Sequence, residues 1–302
     1  MFKYFAFGLN VSSKLILPEL VPTNFDEPDV TITFGSTPSE IDNDLLPHRP
    51  LLSINASQYL HKLPIATYFV ESGNQITITP NNEADEDSIR LFLYSNAFSA
   101  ILHQRSFLCL HTSAILVNNH VVLIGGERGA GKSTTLMSLL QKGYAFFSDD
   151  VCVLTQNPNN ELYNYVISSY PSIKLWKDSF EKLQLHFDSS IKQLRPDFPK
   201  FRFPIELQEL SGAYPIAAII LLDKDSSITK PQITQLTPLL AMEKIGELLY
   251  RKAQVDALYA KTVLFKKYTD LLNACPFFVL KRPSEGNYID AVVHLIENSV
   301  IN

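Results

Sequence analysis

Cysteine is scarce in this chain. Cys109, Cys152 and Cys275 are the only three among 302 residues, and they stand far apart. That spacing excludes a zinc cluster, and a sparse odd set excludes a disulfide framework. The three thiols read as small buried apolar groups of a protein kept in a reducing cytoplasm. Long apolar runs are missing too. No stretch approaches 18 uninterrupted apolar residues, so no membrane span is expected. The apolar segment Met1–Leu9 is too short for a signal peptide and lacks a small-residue cleavage pattern. Charge of one sign is not in excess. A net charge of −5 gives no broad basic field, and no basic–aromatic stripe marks a nucleic-acid binder. Gly-x-Ser-x-Gly is absent, which removes support for the common hydrolase elbow.

Proline is unevenly spread. Pro18, Pro22, Pro28, Pro38, Pro47, Pro50 and Pro64 exclude long helices from the first part of the chain. Short alternating runs there read as strands: Phe2–Leu9, Val30–Phe34, Thr67–Val70 and Gln75–Thr79. We therefore expect a small β-rich domain over residues 1–95. A helical pattern from Asp85 to about Gln104 leads into a second domain, residues 96–302. There strands (Leu108–Leu110, Ala114–Val117, Val121–Gly125, Ala145–Phe147, Val151–Leu154, Ile173–Trp176, Ile216–Leu222, Phe277–Leu280) mix with helices. Helices are expected over Leu239–Tyr250, Gln254–Asn273 and Tyr288–Asn298. The pattern implies an α/β chain. The Asn118-Asn119 hairpin turn argues that its sheet is mixed, not purely parallel.

The informative segment is Gly126-Glu127-Arg128-Gly129-Ala130-Gly131-Lys132-Ser133, of the form G-x-x-x-x-G-K-[ST]. A chance match in a chain of this size should arise on the order of once per hundred sequences, with Gly at about 7% of residues. The motif follows an apolar run and opens a helical pattern from Thr134 to Lys142, the setting of a phosphate-cradling loop. Glycines let backbone N–H groups turn inward, and the helix N-terminus adds positive potential. Lys132 then reaches the outer phosphates and the Ser133 hydroxyl ligates Mg²⁺. Gly126 to Thr134 are thus the expected nucleotide contacts. Arg128 either touches phosphate or points to solvent. Trp176, the single tryptophan, reads as packing.

Transfer chemistry needs more than a bound nucleotide. Asp149 and Asp150 follow Lys132 by 17 and 18 residues, at a strand end. Neighbours on an extended chain face opposite ways. One carboxylate is therefore expected to meet an acceptor hydroxyl as base and the other to hold Mg²⁺.

The series Leu110-His111-Thr112-Ser113-Ala114, Val122-Leu123-Ile124-Gly125-Gly126, the loop, Lys142-Gly143-Tyr144 and Ser148-Asp149-Asp150 resembles the catalytic domain of HPr kinase/phosphorylase. It is more similar still to HPr-kinase-like proteins with an added N-terminal β-rich domain. Some of those phosphorylate a serine of a ribosomally made precursor peptide, as in lasso-peptide biosynthesis. The resemblance implies a P-loop core with a mixed sheet, shared with ATP-dependent phosphoenolpyruvate carboxykinases. It implies ATP and Mg²⁺ as cofactors and a peptide or small-protein acceptor. It makes Asp149 the base, with His111 hydrogen-bonded to it, and gives Asp150 to the metal beside Ser133. Lys174 or Arg202 would neutralise the transferring phosphoryl group. Two departures stand out. Thr134 occupies the place of an acidic residue, and the glycine-containing signature that follows in HPr kinases is missing. HPr kinases form hexamers, which leaves a homo-oligomer open. Two other readings remain: a small-molecule hydroxyl kinase acting on an acceptor such as free serine, and a nucleotide-binding switch without transfer.

Overall fold

The computed structural model describes residues 1–186, 190–195, 198–205 and 212–301. It divides into two units. The first comprises Met1–Cys109 with Leu194–Phe198 and Arg251–Ala260; the second takes Leu110–Gln193, Pro199–Tyr250 and Lys261–Asn302. Among the described residues, no helix is long and apolar enough to cross a membrane.

The first unit carries strands β1 (Phe2–Ala6), β2 (Leu9–Ser13), β3 (Val21–Pro22), β4 (Val30–Phe34), β5 (Leu52–Ile54), β6 (Gln58–Lys62), β7 (Ala66–Glu71) and β8 (Gln75–Pro80). They form one sheet in the order β3-β1-β2-β4-β8-β7-β6-β5. The run read as a single strand over Phe2–Leu9 is a hairpin instead, because Phe7 and Gly8 both take positive φ. Alternation then sets the faces. Ala66, Tyr68 and Val70 of β7 and Ile76 and Ile78 of β8 are all fully buried. The expected long helix is α1 (Glu86–Phe92), a π-helical turn (Leu93–Ala97) and α2 (Phe98–Gln104). Asp85 caps α1 by accepting the Ser88 N–H at 2.7 Å. The Tyr68 hydroxyl donates to the Ile89 carbonyl at 2.9 Å.

A polar cluster lies beside that π-helical turn. His61 Nδ1 accepts from the Asn96 amide at 3.2 Å, with Tyr59 Oη 2.9 Å away. Arg251 also binds Asn96. Burial, reinforced by the Arg251 charge, pushes His61 down to about 4. The unfolded chain, with its histidine at 6.5, therefore takes up the proton first. The stability contributed is full above pH 6.5 and is lost as pH falls towards 4. We expect a melting temperature that declines over that window in the wild type. In His61→Gln the decline should be visibly shallower.

The second unit holds β10 (Ser113–Val117), β11 (His120–Gly126), α3 (Lys132–Gln141), β12 (Ala145–Ser148), β13 (Cys152–Thr155) and β14 (Tyr165–Ile167), reached through β9 (Leu108–Leu110). Next come β15 (Ser172–Trp176), α4 (Lys177–Lys182), β16 (Lys192–Arg195), β17 (Phe198–Pro204), β18 (Tyr214–Lys224) and β19 (Gln232–Gln235). The chain continues with α5 (Pro238–Lys244), a 3₁₀ turn (Ile245–Leu248), α6 (Lys252–Leu258), which belongs to the first unit, and then α7 (Lys261–Ala274), β20 (Phe277–Arg282) and α8 (Ile289–Ile296). The sheet is mixed. β10 and β11 form the hairpin turned by Asn118 and Asn119, while β11 and β20 each run parallel to β18. From Val121 to Gly126 every residue of β11 is buried, as a strand covered on both faces requires. Its core includes Leu136, Met137 and Leu139 of α3 and Val292, Val293 and Ile296 of α8. Full burial of such side chains contributes roughly 1.5–3 kcal/mol each. This core fixes α3 against the sheet and so fixes the loop that precedes it.

Candidate active site

The glycine loop leaves the C-terminal end of β11 and enters α3 at Lys132. Gly126 has φ 142°, and a Cβ there would lie 2.6 Å from the Leu222 carbonyl oxygen of β18. No other residue fits that turn against a neighbouring backbone. Lys132 folds inward, donating from Nζ to the Gly126 carbonyl at 2.7 Å and the Glu127 carbonyl at 3.3 Å. Burial lowers its proton affinity, opposed by Asp150 and Asp149. The Arg282 guanidinium holds the far side of the loop through the Ala130 carbonyl, at 3.2 and 3.1 Å. Gly131 is the N-cap of α3, and no side chain caps the helix start. Its leading amides therefore face a cavity of about 720 Å³.

The two aspartates divide as adjacent residues should, though with partners the sequence did not assign. Asp149 directly follows β12 and is 4% exposed. Its carboxylate accepts from Ser113 Oγ at 2.6 Å, from Ser133 Oγ at 3.0 Å and from the Lys174 backbone N–H at 3.0 Å. Three neutral donors thus occupy it. Asp150 has φ 75°, a costly conformation for a residue with a Cβ, and swings its carboxylate the other way. It meets Lys174 Nζ at 2.7 Å and His111 Nδ1 at 3.5 Å. Burial would raise the Asp150 carboxyl, but Lys174 and then His111 hold it well below the usual carboxylate range. Burial opposes the Lys174 ammonium in turn, and Asp150 keeps it above its ordinary value.

His111 therefore partners Asp150, not Asp149 as the resemblance implies. An isolated bridge, Leu110 with Leu249, and the bond from the His111 N–H to the Leu248 carbonyl at 2.6 Å set its place. Its Nδ1 lies 2.9 Å from the Asp150 carbonyl oxygen. A carbonyl only accepts, so Nδ1 carries the hydrogen and Nε2 holds the lone pair. Burial lowers the histidine below 6.5, with Asp150 opposing and Lys132 adding to the fall. The ring is neutral at pH 7.

The β15–β17 pair sorts the remaining cations. Lys174 lies opposite Arg202 and Trp176 opposite Lys200. Ile173, Leu175, Phe201 and Phe203 turn to the core, which sends the alternate residues the other way. Lys174 lines the cavity but is bound to Asp150; Arg202 does not line it. Lys200 does, and this is the residue that sequence reasoning missed. Its ammonium sits 5.8 Å from the Trp176 ring centre and makes no hydrogen bond or ion pair with a described residue. Burial lowers its proton affinity, opposed by Asp150. Arg128 also lies over Trp176, at 5.2 Å. Ser133, Thr134, Gly129, Ala130 and Gly131 line the cavity, and Thr134 Oγ1 lies 3.0 Å from Ser179 Oγ. Gly126 is buried behind the loop, and the exposed Glu127 is off the wall. Two further cations, Lys224 and Arg282, reach the cavity from the ends of β18 and β20. β18 pairs in parallel with β11 and β20 with β18, which nothing in the local sequence announces.

No family model matches this chain, and no curated protein matches it. Among solved structures it is similar to the HPr(Ser) kinase/phosphatase from Coxiella burnetii. The identity is 15%, covering 63% of this chain and 88% of that one, with a TM-score of 0.28. A likeness of that degree bears no weight for the site, whose chemistry stands on the contacts above. The chain is a mixed α/β protein with mixed sheets and a cation-rich cavity at the mouth of a glycine loop.

Proposed function

We propose that the protein is a kinase that moves the γ-phosphoryl group of ATP onto a serine hydroxyl of a peptide or small protein. The observation that carries this reading is the divided carboxylate pair. Asp149 is fixed on Ser133 at the loop, and Asp150 is fixed on His111 within the same cavity. A nucleotide switch has no use for the second arrangement.

The loop amides, the α3 N-terminus and Lys132 would hold the triphosphate. Ser133 and Asp149 suit Mg²⁺. Among the described residues no group of three or more His, Cys, Asp or Glu forms a ready metal cage. One hydroxyl and one carboxylate are the small donor set that Mg²⁺ uses when phosphates complete its shell. When bound, the ion supplies neutralisation of charge on the outer phosphates. This moves the metal ligand from Asp150, where the resemblance puts it, to Asp149.

The proton acceptor moves as well. A carboxylate held far below its usual range by Lys174 is a poor base, whereas a neutral imidazole with a bare Nε2 is a good one. In this reading the serine oxygen attacks the γ-phosphorus in line. The O–H bond breaks towards His111 Nε2, the new O–P bond forms, and the bond to the β-phosphate oxygen breaks, releasing ADP. Asp150 stabilises the imidazolium from the Nδ1 side. Lys200 meets charge on the equatorial oxygens as it develops.

The test incubates the protein with Mg²⁺ and γ-labelled ATP, offering serine-containing peptides in one arm and free serine in the other. Label recovered on peptide serine supports the reading. Label on free serine alone replaces it with a small-molecule kinase. ATP bound tightly with no label moved anywhere leaves only a switch.

A further inference from the structure

The cavity wall is chemically mixed. His111, Asp150, Lys174 and Lys200 belong to it, and the chain after β20 adds Asn287, Tyr288, Ile289 and Val292, none of them charged. We infer that this uncharged stretch is a nucleobase subsite, in which a planar heterocycle packs against the Tyr288 ring. The inference rests on the nucleotide reading above and deepens it.

Two observations and one general property of such loops support the placement. Arg282 is bonded to the Ala130 carbonyl, which brings the segment after β20 against the loop. Val292 of α8 shares a core with Leu136 and Met137 of α3, and the two helices pack against each other. In a glycine loop followed by a helix, the first helical residues face the inner phosphates and so the nucleoside side of the ligand.

The wall itself has the right composition. Val292 is buried, while Tyr288 and Ile289 are half-buried with apolar surface left towards the cavity. Tyr288 is held by a turn at Gly286, where φ is 95° and a Cβ would lie 2.8 Å from Tyr288 Cε2. The ring thus folds back over backbone that only glycine leaves clear. Asn287 Oδ1 accepts the Ile289 N–H at 3.3 Å. That turns the side chain, and its amide Nδ2 makes no hydrogen bond with a described residue. An aromatic face with an amide donor beside it matches the flat face and acceptor edge of a base.

The experiment measures calorimetric binding of ATP and of inorganic triphosphate to the full chain. The variants are Tyr288→Ala and Tyr288→Phe, with Lys132→Ala as control and thermal melting to verify folding. Tyr288→Ala should weaken ATP roughly tenfold while leaving triphosphate unchanged, the loss expected when one base–aromatic stack is removed. Tyr288→Phe should bind both ligands as the wild type does. The subsite is overturned if Tyr288→Ala binds ATP normally, or if Tyr288→Ala and Tyr288→Phe lose both ligands alike. In those cases the nucleotide reading survives so long as Lys132→Ala still abolishes both. Wild-type protein that binds neither ligand would sink the two together.

Discussion

His111→Gln should reduce phosphoryl transfer by roughly 10²–10⁴, the range that a positioned general base supplies. ATP affinity should stay within a few fold. Glutamine keeps an amide able to donate to the Asp150 carbonyl, where Nδ1 now sits at 2.9 Å, but has no basic nitrogen. The split separates proton transfer from binding, so kcat is the quantity to follow, with ATP affinity measured independently. The pH profile gives a second reading. Burial leaves the imidazole below 6.5. The wild-type rate should be flat at neutral pH and fall with unit slope only at more acid values, as the ring takes up the proton that blocks it. Equal loss of rate and of ATP affinity in His111→Gln would place the histidine in the scaffold instead.

Lys200→Ala should slow transfer by about 10²–10³, the usual loss when one preorganised donor to developing charge is removed. The geometry explains why this lysine carries the effect rather than Lys174 or Arg202. The Lys174 charge is already matched by Asp150 at 2.7 Å, and Arg202 lies off the cavity wall. Lys200 holds its ammonium partly out of water without a hydrogen bond or ion pair to a described residue, beside Trp176. A half-buried cation kept in that state gains more from an arriving anion than one already paired. The ATP binding constant should change far less than kcat, and Lys200→Arg should recover part of the loss. Wild-type kcat in Lys200→Ala would remove the residue from the mechanism.

Much of this arrangement is legible in the order of the amino acids alone. The loop announces itself, because close backbone turns and a helix start demand glycine, lysine and serine at fixed spacing. The Asn118-Asn119 turn and the alternation in β7 and β8 also follow from local rules, since positive φ and a two-residue period are properties of a few neighbours. The pairing of His111 with Asp150 does not. It depends on the positive φ at Asp150 and on the Leu110–Leu249 bridge, which joins residues far apart in the chain. The choice between Lys200 and Arg202 is equally hidden, because both fall on one face of β17 and only tertiary packing decides which reaches the cavity. Short strands such as β14 and β19 carry too few residues to show a period at all.

The most direct measurement is a crystal structure of the protein with Mg²⁺ and a non-hydrolysable ATP analogue. The account predicts the triphosphate over the loop, the γ-phosphate within about 3–3.5 Å of Lys200 Nζ, and room for a hydroxyl between that phosphate and His111 Nε2. A triphosphate seated away from the loop, or a γ-phosphate with His111 and Lys200 both turned from it, would contradict the account.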